Sequence, residues 1–396
     1  MPIPPLTRRR FAYACALALA VLAVSVATPA SADWRQFHAG PARLGVTKGG
    51  TISPTNVGRL KVMWSRATGS SAEGINSSPA VANGRVFIGS DDGRLYAFGV
   101  GGGPLWSASI GGPVRSSPAV DNGIVVVGSD HGKIQARSVS NGALRWSHDV
   151  QGSVTAPPLI ADGRVYIGTR GGTFFAFNES SGKIVWKQNT WSVWDAAAYR
   201  NGVVYVGSDQ SRVWAFDSDT GHRRWVTNVW GRVRSTPAVT DHRVYVGTDQ
   251  GRVIALDRGN GHQIWSSAAV SPGNGYVRCA PAIANGLVVV SVGLTTNPMD
   301  GKLRAFRVTG GKLAWTGEMA DYSTSSPAFV HGMFIAGSFD HRLYAFGADH
   351  GAELWTSGWR FQDGFFNRGI SGSPAISGNK IYIGVRDGRL YALGLP

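Results

Sequence analysis

A tryptophan returns at nearly constant intervals along this chain, and that spacing limits what the chain can fold into. The residues are Trp64, Trp106, Trp146, Trp186, Trp225, Trp265, Trp315 and Trp355; six of the seven intervals are 39–42 residues, and the one after Trp265 is 50. Each tryptophan ends a common frame. The frame begins at Ser77-Ser78-Pro79-Ala80-Val81 and passes Asn83-Gly84 into Arg85-Val86-Phe87-Ile88-Gly89. It turns at Ser90-Asp91-Asp92-Gly93 into Arg94-Leu95-Tyr96-Ala97-Phe98 and closes on Leu105-Trp106. Sister frames are centred on Pro118, Pro158, Ala197, Pro237, Pro281, Pro327 and Pro374. A repeat of this length is one supersecondary unit that buries its apolar face only by stacking on its neighbours.

Within each frame, strands alternate with turns four times. Asn83-Gly84, Asn122-Gly123, Asp162-Gly163, Asn201-Gly202 and Asn285-Gly286 are what two-residue hairpins require, because both central positions take positive φ. The 54 glycines and the scarcity of good helix formers argue against long helices, and a 43% hydrophobic content excludes a disordered or collagen-like chain. Four short strands per unit predict an all-β fold, an eight-bladed β-propeller of four-stranded blades over residues 51–396. The last unit stops at Tyr391-Ala392-Leu393 with three strands, while Leu60–Trp64 is a terminal strand with no unit before it. Pairing this N-terminal strand with the last blade would close the ring and remove two exposed edges.

Residues 1–32 read as an export signal. Arg8-Arg9-Arg10 precede an apolar run from Phe11 to about Val26, and Ala30-Ser31-Ala32 offers a small-residue cleavage site before Asp33. The run is too short for a membrane span, and Thr7-Arg8-Arg9-Arg10-Phe11 fits a twin-arginine signal. The expected product is soluble and periplasmic or extracellular, with an N-terminal segment over 33–50 ahead of the propeller. Removing the signal lowers the formal charge from +15 to +12, which favours anionic partners. Cys15 goes with the signal, leaving Cys279 alone and no internal disulfide.

The strand order puts the connector into each inner strand on the same face as the Asp-Gly turns, so the connectors should line the channel mouth. Three residues before each frame centre stand Asn76, Arg115, Thr155, Trp194, Arg234, Arg278, Thr324 and Ser371. None is aliphatic and three are arginine, so the mouth is expected to hold an anionic small molecule or an acidic partner. Trp194 offers a surface on which a planar ligand could stack. Asp195 stands where most other frames carry Ser, and is a candidate general base or metal ligand beside the reading of a locally capping carboxylate. Three connectors are long: Trp64–Pro79 contains Glu73, Trp265–Pro281 follows, and Trp355–Pro374 carries Phe361, Asp363, Phe365, Phe366 and Arg368. With the enlarged turn at Leu294–Asp300 they suggest a lid or a partner-binding lip. His131 and His341 read as surface residues.

The repeat resembles that of the pyrroloquinoline-quinone-like, or quinoprotein, propellers. Ala215…Asp217…Gly221…Trp225 and Ala255…Asp257…Gly261…Trp265 are full copies of that signature, and Ala176…Asn178…Gly182…Trp186 is close. Ala136, Ala305 and Ala345 keep the Ala, Gly and Trp spacing without the Asp. The resemblance implies that the tryptophans dock one blade on the next. Ile52…Asn56-Val57…Leu60…Trp64…Thr68-Gly69, with Asp33-Trp34 and Phe37, is similar to the opening of quinoprotein alcohol dehydrogenases. Outer-membrane assembly lipoproteins share this propeller but are lipid-anchored, and no lipidation site is present here.

The dehydrogenase likeness implies pyrroloquinoline quinone with Ca²⁺ at the mouth. Against it stand the missing cysteine pair, the missing large insertions, and Asn76 where those enzymes carry a quinone-contacting Glu. No Glu/Asn/Asp calcium set can be assigned. Zinc spacings, a phosphate loop, a nucleophile elbow, a haem-attachment motif and nucleic-acid motifs are also absent from the sequence. Two functions follow: an exported binding or scaffold module for an anionic ligand or partner, or a small soluble quinone-dependent dehydrogenase oxidising alcohols or sugars with a separate electron acceptor. The sequence leaves open whether the chain is an enzyme.

Overall fold

The computed structural model describes residues 1, 33–47, 49–69, 74–270, 275–294, 301–358 and 369–396. Residues 2–32 of the expected export signal, Glu73, the enlarged turn at 295–300 and the 361–368 connector lie outside these.

The hairpin residues take the conformations their types allow. Asn83, Asn122, Asp162, Asn201 and Asn285 have φ between 39° and 52°, each followed by a glycine with φ of 68–79°. These turns join the first two strands of each unit, and eight antiparallel sheets result. The first comprises Ala80–Ala82, Arg85–Gly89, Arg94–Gly99 and Pro104–Ser109. In the eighth, Lys61–Ala67 pairs with Arg389–Gly394 outside Lys380–Val385 and Ala375–Ser377, so the N-terminal strand closes the ring as expected. The sixth blade departs from four strands: Gly275–Tyr276 adds a fifth against the end of Leu287–Leu294.

The repeated Ala and Trp face one another across the outer two strands, as in Ala215↔Trp225 and Ala97↔Trp106. A small residue opposite the indole leaves that ring room to reach the next blade. Trp186 Nε1–H donates to Ser218 O at 2.9 Å, and a Cβ on Gly221 would lie 2.6 Å from the Trp186 ring. The same donor and glycine recur from Trp64 with Val100 O and Gly102 through to Trp315 with Ala348 O and Gly351.

The Ser-Ser-Pro pattern ties the blades together around the axis. Its first hydroxyl serves its own blade: Ser77 Oγ accepts from Gly89 N–H at 3.2 Å, and Ser235 Oγ from Gly247 N–H at 2.7 Å. In the sixth blade Cys279 takes that place, its Sγ accepting from Ser291 N–H at 3.2 Å. The second hydroxyl serves the preceding blade. Ser78 N–H donates to Ser117 Oγ, Ala196 N–H to Thr236 Oγ1, Ala280 N–H to Ser326 Oγ, and Ser373 N–H to Ser78 Oγ, all at 2.8–3.1 Å.

Residues 34–47 run inside this ring along the inner strands. Trp34 pairs with Val81 of blade one, Arg35 O accepts from Val120 N–H of blade two, and the Gln36 amide brackets Ile160 of blade three. Pro41, Ala42, Leu44 and Gly45 then accept from Tyr199, Val239, Ile283 and Phe329 of blades four to seven. A single strap therefore touches seven blades in chain order. His38 and Arg43 in it are fully buried. No helix among the described residues is long and apolar enough to cross a membrane.

Candidate functional site

Two sets of residues meet at the channel mouth. The connectors supply one; the turns after the second strands supply the other. Backbone bonds lock them together, the turn amide donating to a connector carbonyl: Asp91 to Gly74 O, Asp130 to Pro113 O, Arg170 to Ser153 O, Asp209 to Ser192 O, and Asp249 to Arg232 O. Each bond ends two positions before a connector residue named from sequence, so the two sets interleave around the axis.

A cavity of about 620 Å³ opens here. It is lined by Asn76, Arg115, Thr155, Trp194, Thr324 and Ser371 from the connectors, and by Arg170 and Arg386 from the turns. Arg278 lines a smaller cavity of about 140 Å³ shared with Asn76, Arg115 and Thr155, which also reaches Asp195 and Phe37. Arg234 lines neither of these. It is mostly buried, with its guanidinium 4.2 Å from the centre of the Trp194 ring.

The turn aspartates neutralise the connector arginines. Arg115 meets Asp91 at 3.2 Å and Asp130 at 2.8 Å; Arg234 meets Asp209 at 2.8 Å and Asp249 at 3.4 Å; Arg278 meets Asp249 at 2.8 Å. Asp209 also accepts from Trp194 Nε1–H at 2.7 Å, and Asp91 from Asn76 Nδ2 at 2.8 Å. The hydrogen bond from Arg234 to Asp209, with the charges of Asp249 and Asp209, raises the Arg234 pKa above its ordinary value against the opposing effect of burial. Such bidentate and bridging contacts fix the side chains as well as their charge.

Arg170 and Arg386 occupy the turn position that Asp91, Asp130, Asp209 and Asp249 fill in sister blades. Among the described residues neither makes an ion pair. The Arg170 guanidinium lies 3.4 Å from the centre of the Trp194 ring, a cation–π contact. Burial lowers its pKa, Asp130 and Asp209 opposing that shift and Arg115 and Arg234 adding to it. Arg386 lies over Phe339 at 5.9 Å, and its Nε is buried without a hydrogen-bond partner.

Below the mouth, Asp195 keeps an accessible edge on the smaller cavity and is enclosed elsewhere. Burial pushes its carboxyl up to about 6, against the opposing pull of the Ala196 N–H, Thr236 and the Arg43 charge. Arg43 donates to Ala197 O at 3.0 Å, Pro158 O at 2.9 Å and Phe37 O, and burial lowers it to about 9. Phe37, Ala196 and Ala280 pack together at this level. Of the two histidines, His131 is exposed, whereas His341 is buried at a turn with φ of 71°.

Sequence reasoning missed the four aspartates, Arg170, Arg386 and the role of Arg43. A signal for the mouth residues existed: Asn76, Arg115, Trp194 and Arg234 each meet the turn residue fifteen positions later.

The described residues do not form a seat for the quinone and Ca²⁺ that the resemblance implies. The face of Trp194 that a flat ring would need carries the Arg170 guanidinium. The mouth aspartates are engaged by arginines, and no group of three His, Cys, Asp or Glu among the described residues could hold a metal ion.

Similarity to known proteins follows the fold. Among solved structures, BamB from Moraxella catarrhalis superposes with a TM-score of 0.71 at 20% identity, covering 85% of this chain and 99% of its own. The quinohemoprotein alcohol dehydrogenase from Comamonas testosteroni gives 0.76 at 16% identity, covering 92% and 80%. A europium-containing methanol dehydrogenase gives 0.76 at 14% identity, covering 92% and 98%. At such identities the likeness is one of fold. No curated protein sequence matches the chain. The family described as outer membrane protein assembly factor BamB matches over residues 31–151, 99–197 and 181–332, and the chain belongs to this family of pyrroloquinoline-quinone-like β-propellers.

Proposed function

We propose that this chain is an exported binding module whose propeller mouth holds an anionic ligand. One observation carries the reading: among the described residues, the charged side chains lining the 620 Å³ axial cavity are Arg115, Arg170 and Arg386, with no acid beside them. Converging guanidinium groups in a concave, partly desolvated site favour carboxylates and phosphates. The rim of Asn76, Thr155, Thr324 and Ser371 adds neutral hydrogen-bonding groups suited to an oxygen-rich ligand. The family description, an assembly factor, supports binding over catalysis. A quinone-dependent oxidation is not carried forward, because Arg170 covers the ring on which the quinone would lie.

Residues 1–32 are the export signal in this reading, 33–50 the strap segment and 51–396 the propeller. N-terminal sequencing of the exported product should begin at Asp33. Calorimetric titration of the purified protein with citrate should show saturable binding that weakens as salt is added, with no response to glycerol. Equal responses to both, or none to citrate at millimolar concentration, would remove the reading.

A further inference from the structure

Among the described residues five arginines approach the mouth, and they fall into two kinds. Arg115, Arg234 and Arg278 are each held by turn aspartates, so their charge is already answered within the ring. Arg170 and Arg386 replace the aspartate of their own turns, and neither makes an ion pair among the described residues. A guanidinium at the mouth with no carboxylate in contact keeps donors open to a bound anion. The buried, unpartnered Nε of Arg386 is a donor of this kind. Arg170 is restrained against Trp194, so little freedom is lost when it engages a ligand.

We propose that Arg170 and Arg386 are the two poles of a clamp for a small ligand bearing two anionic oxygen groups, a dicarboxylate or a diphosphate. This rests on the anionic-ligand reading above and goes further, by naming the valence of the ligand and the side chains that read it. The two arginines stand on blades three and eight, three blades apart on an eight-bladed ring, so they face the cavity from separate directions. A ligand with one carboxylate meets one pole; a ligand charged at both ends meets both. The neutral groups between the poles, Asn76, Thr155, Thr324 and Ser371, suit an uncharged, oxygen-bearing middle. A cavity of about 620 Å³ admits a small molecule and excludes a folded partner.

The test compares acetate with straight-chain dicarboxylates of increasing length, and inorganic phosphate with pyrophosphate, by calorimetry at one fixed ionic strength. The proteins are wild type, Arg170→Gln, Arg386→Gln, the charge-keeping Arg170→Lys, and Arg145→Gln on another surface as control. For wild type, at least one two-charge probe should bind about tenfold tighter than its one-charge counterpart. Whether that probe is a dicarboxylate or pyrophosphate identifies the chemistry. Each Gln variant should lose that advantage, Arg170→Lys should keep part of it, and Arg145→Gln should keep all of it, with thermal melts confirming folded protein. Equal affinity for one-charge and two-charge probes, or a two-charge advantage that survives both Gln variants, would overturn the clamp while leaving an anionic site. Failure of wild type to bind any anion would overturn the site as well.

Discussion

The Arg170 guanidinium lies 3.4 Å from the centre of the Trp194 ring. The contact joins a turn of blade three to the connector of blade four, and it changes what the mouth presents. Trp194 would otherwise be an aromatic platform. With Arg170 over it and Arg234 at 4.2 Å, it instead holds cations in place, and its indole N–H anchors Asp209. A ligand entering the mouth would therefore meet guanidinium groups rather than a bare ring.

Arg234 belongs to the frame of the mouth. Its pairs with Asp209 and Asp249 are mostly shielded from solvent. Replacing it by Ala leaves two carboxylates short of a partner and is expected to cost about 2 kcal/mol of stability. Denaturant unfolding measures this, and an unchanged midpoint would contradict the structural role.

The blade-to-blade contact of tryptophan on glycine separates two costs that are usually mixed. Gly221 and Gly163 have nearly the same backbone, with φ of 70° and 68°. A Cβ at Gly221 would lie 2.6 Å from Trp186, whereas at Gly163 nothing lies within 4 Å. Gly163→Ala should therefore cost about 1 kcal/mol, the price of left-handed backbone alone. Gly221→Ala should cost about 1–3 kcal/mol more, because the indole must move. Equal losses would show that the indole is free to give way.

Asp195 sets a pH dependence. Its pKa rises from an ordinary value of 3.8 to about 6 in the folded protein. A carboxyl raised in this way contributes stability that is fully present below about pH 4 and lost as pH rises through about 6. Relative to Asp195→Asn, wild type should lose about 2–3 kcal/mol across that window and stay level above it. A difference independent of pH would contradict the buried carboxyl.

Cys279 acts as a serine substitute. Burial pushes its thiol up to about 12, and its Sγ accepts the Ser291 amide that a serine hydroxyl would accept. It should resist thiol reagents in the native protein and react after unfolding. Cys279→Ser should change stability by less than about 1 kcal/mol, since Ser77 and Ser235 fill the same place elsewhere. Rapid native labelling would contradict the burial.

The ring was legible because its determinants are local and repeated. An Asn-Gly pair fixes a hairpin through its own backbone preferences, and one tryptophan per unit marks the outer strand. The positions of Asn76, Arg115, Thr155 and Trp194 followed from counting along that frame, and the structure gathers them at one cavity. Their charge balance did not follow, because Arg115 reaches back 24 residues to Asp91 as well as forward 15 to Asp130. Those pairs exist only once neighbouring blades are side by side. The strap was equally hidden. Arg43 reads as an ordinary basic residue until the ring closes around it and supplies three carbonyl acceptors.

The most direct test is to locate the anion. A crystal of the protein soaked with selenate, with its selenium found by anomalous scattering, should show density in the axial cavity within hydrogen-bonding distance of Arg170 or Arg386. Density confined to other surfaces, or an empty mouth beside well-ordered arginines, would contradict the account.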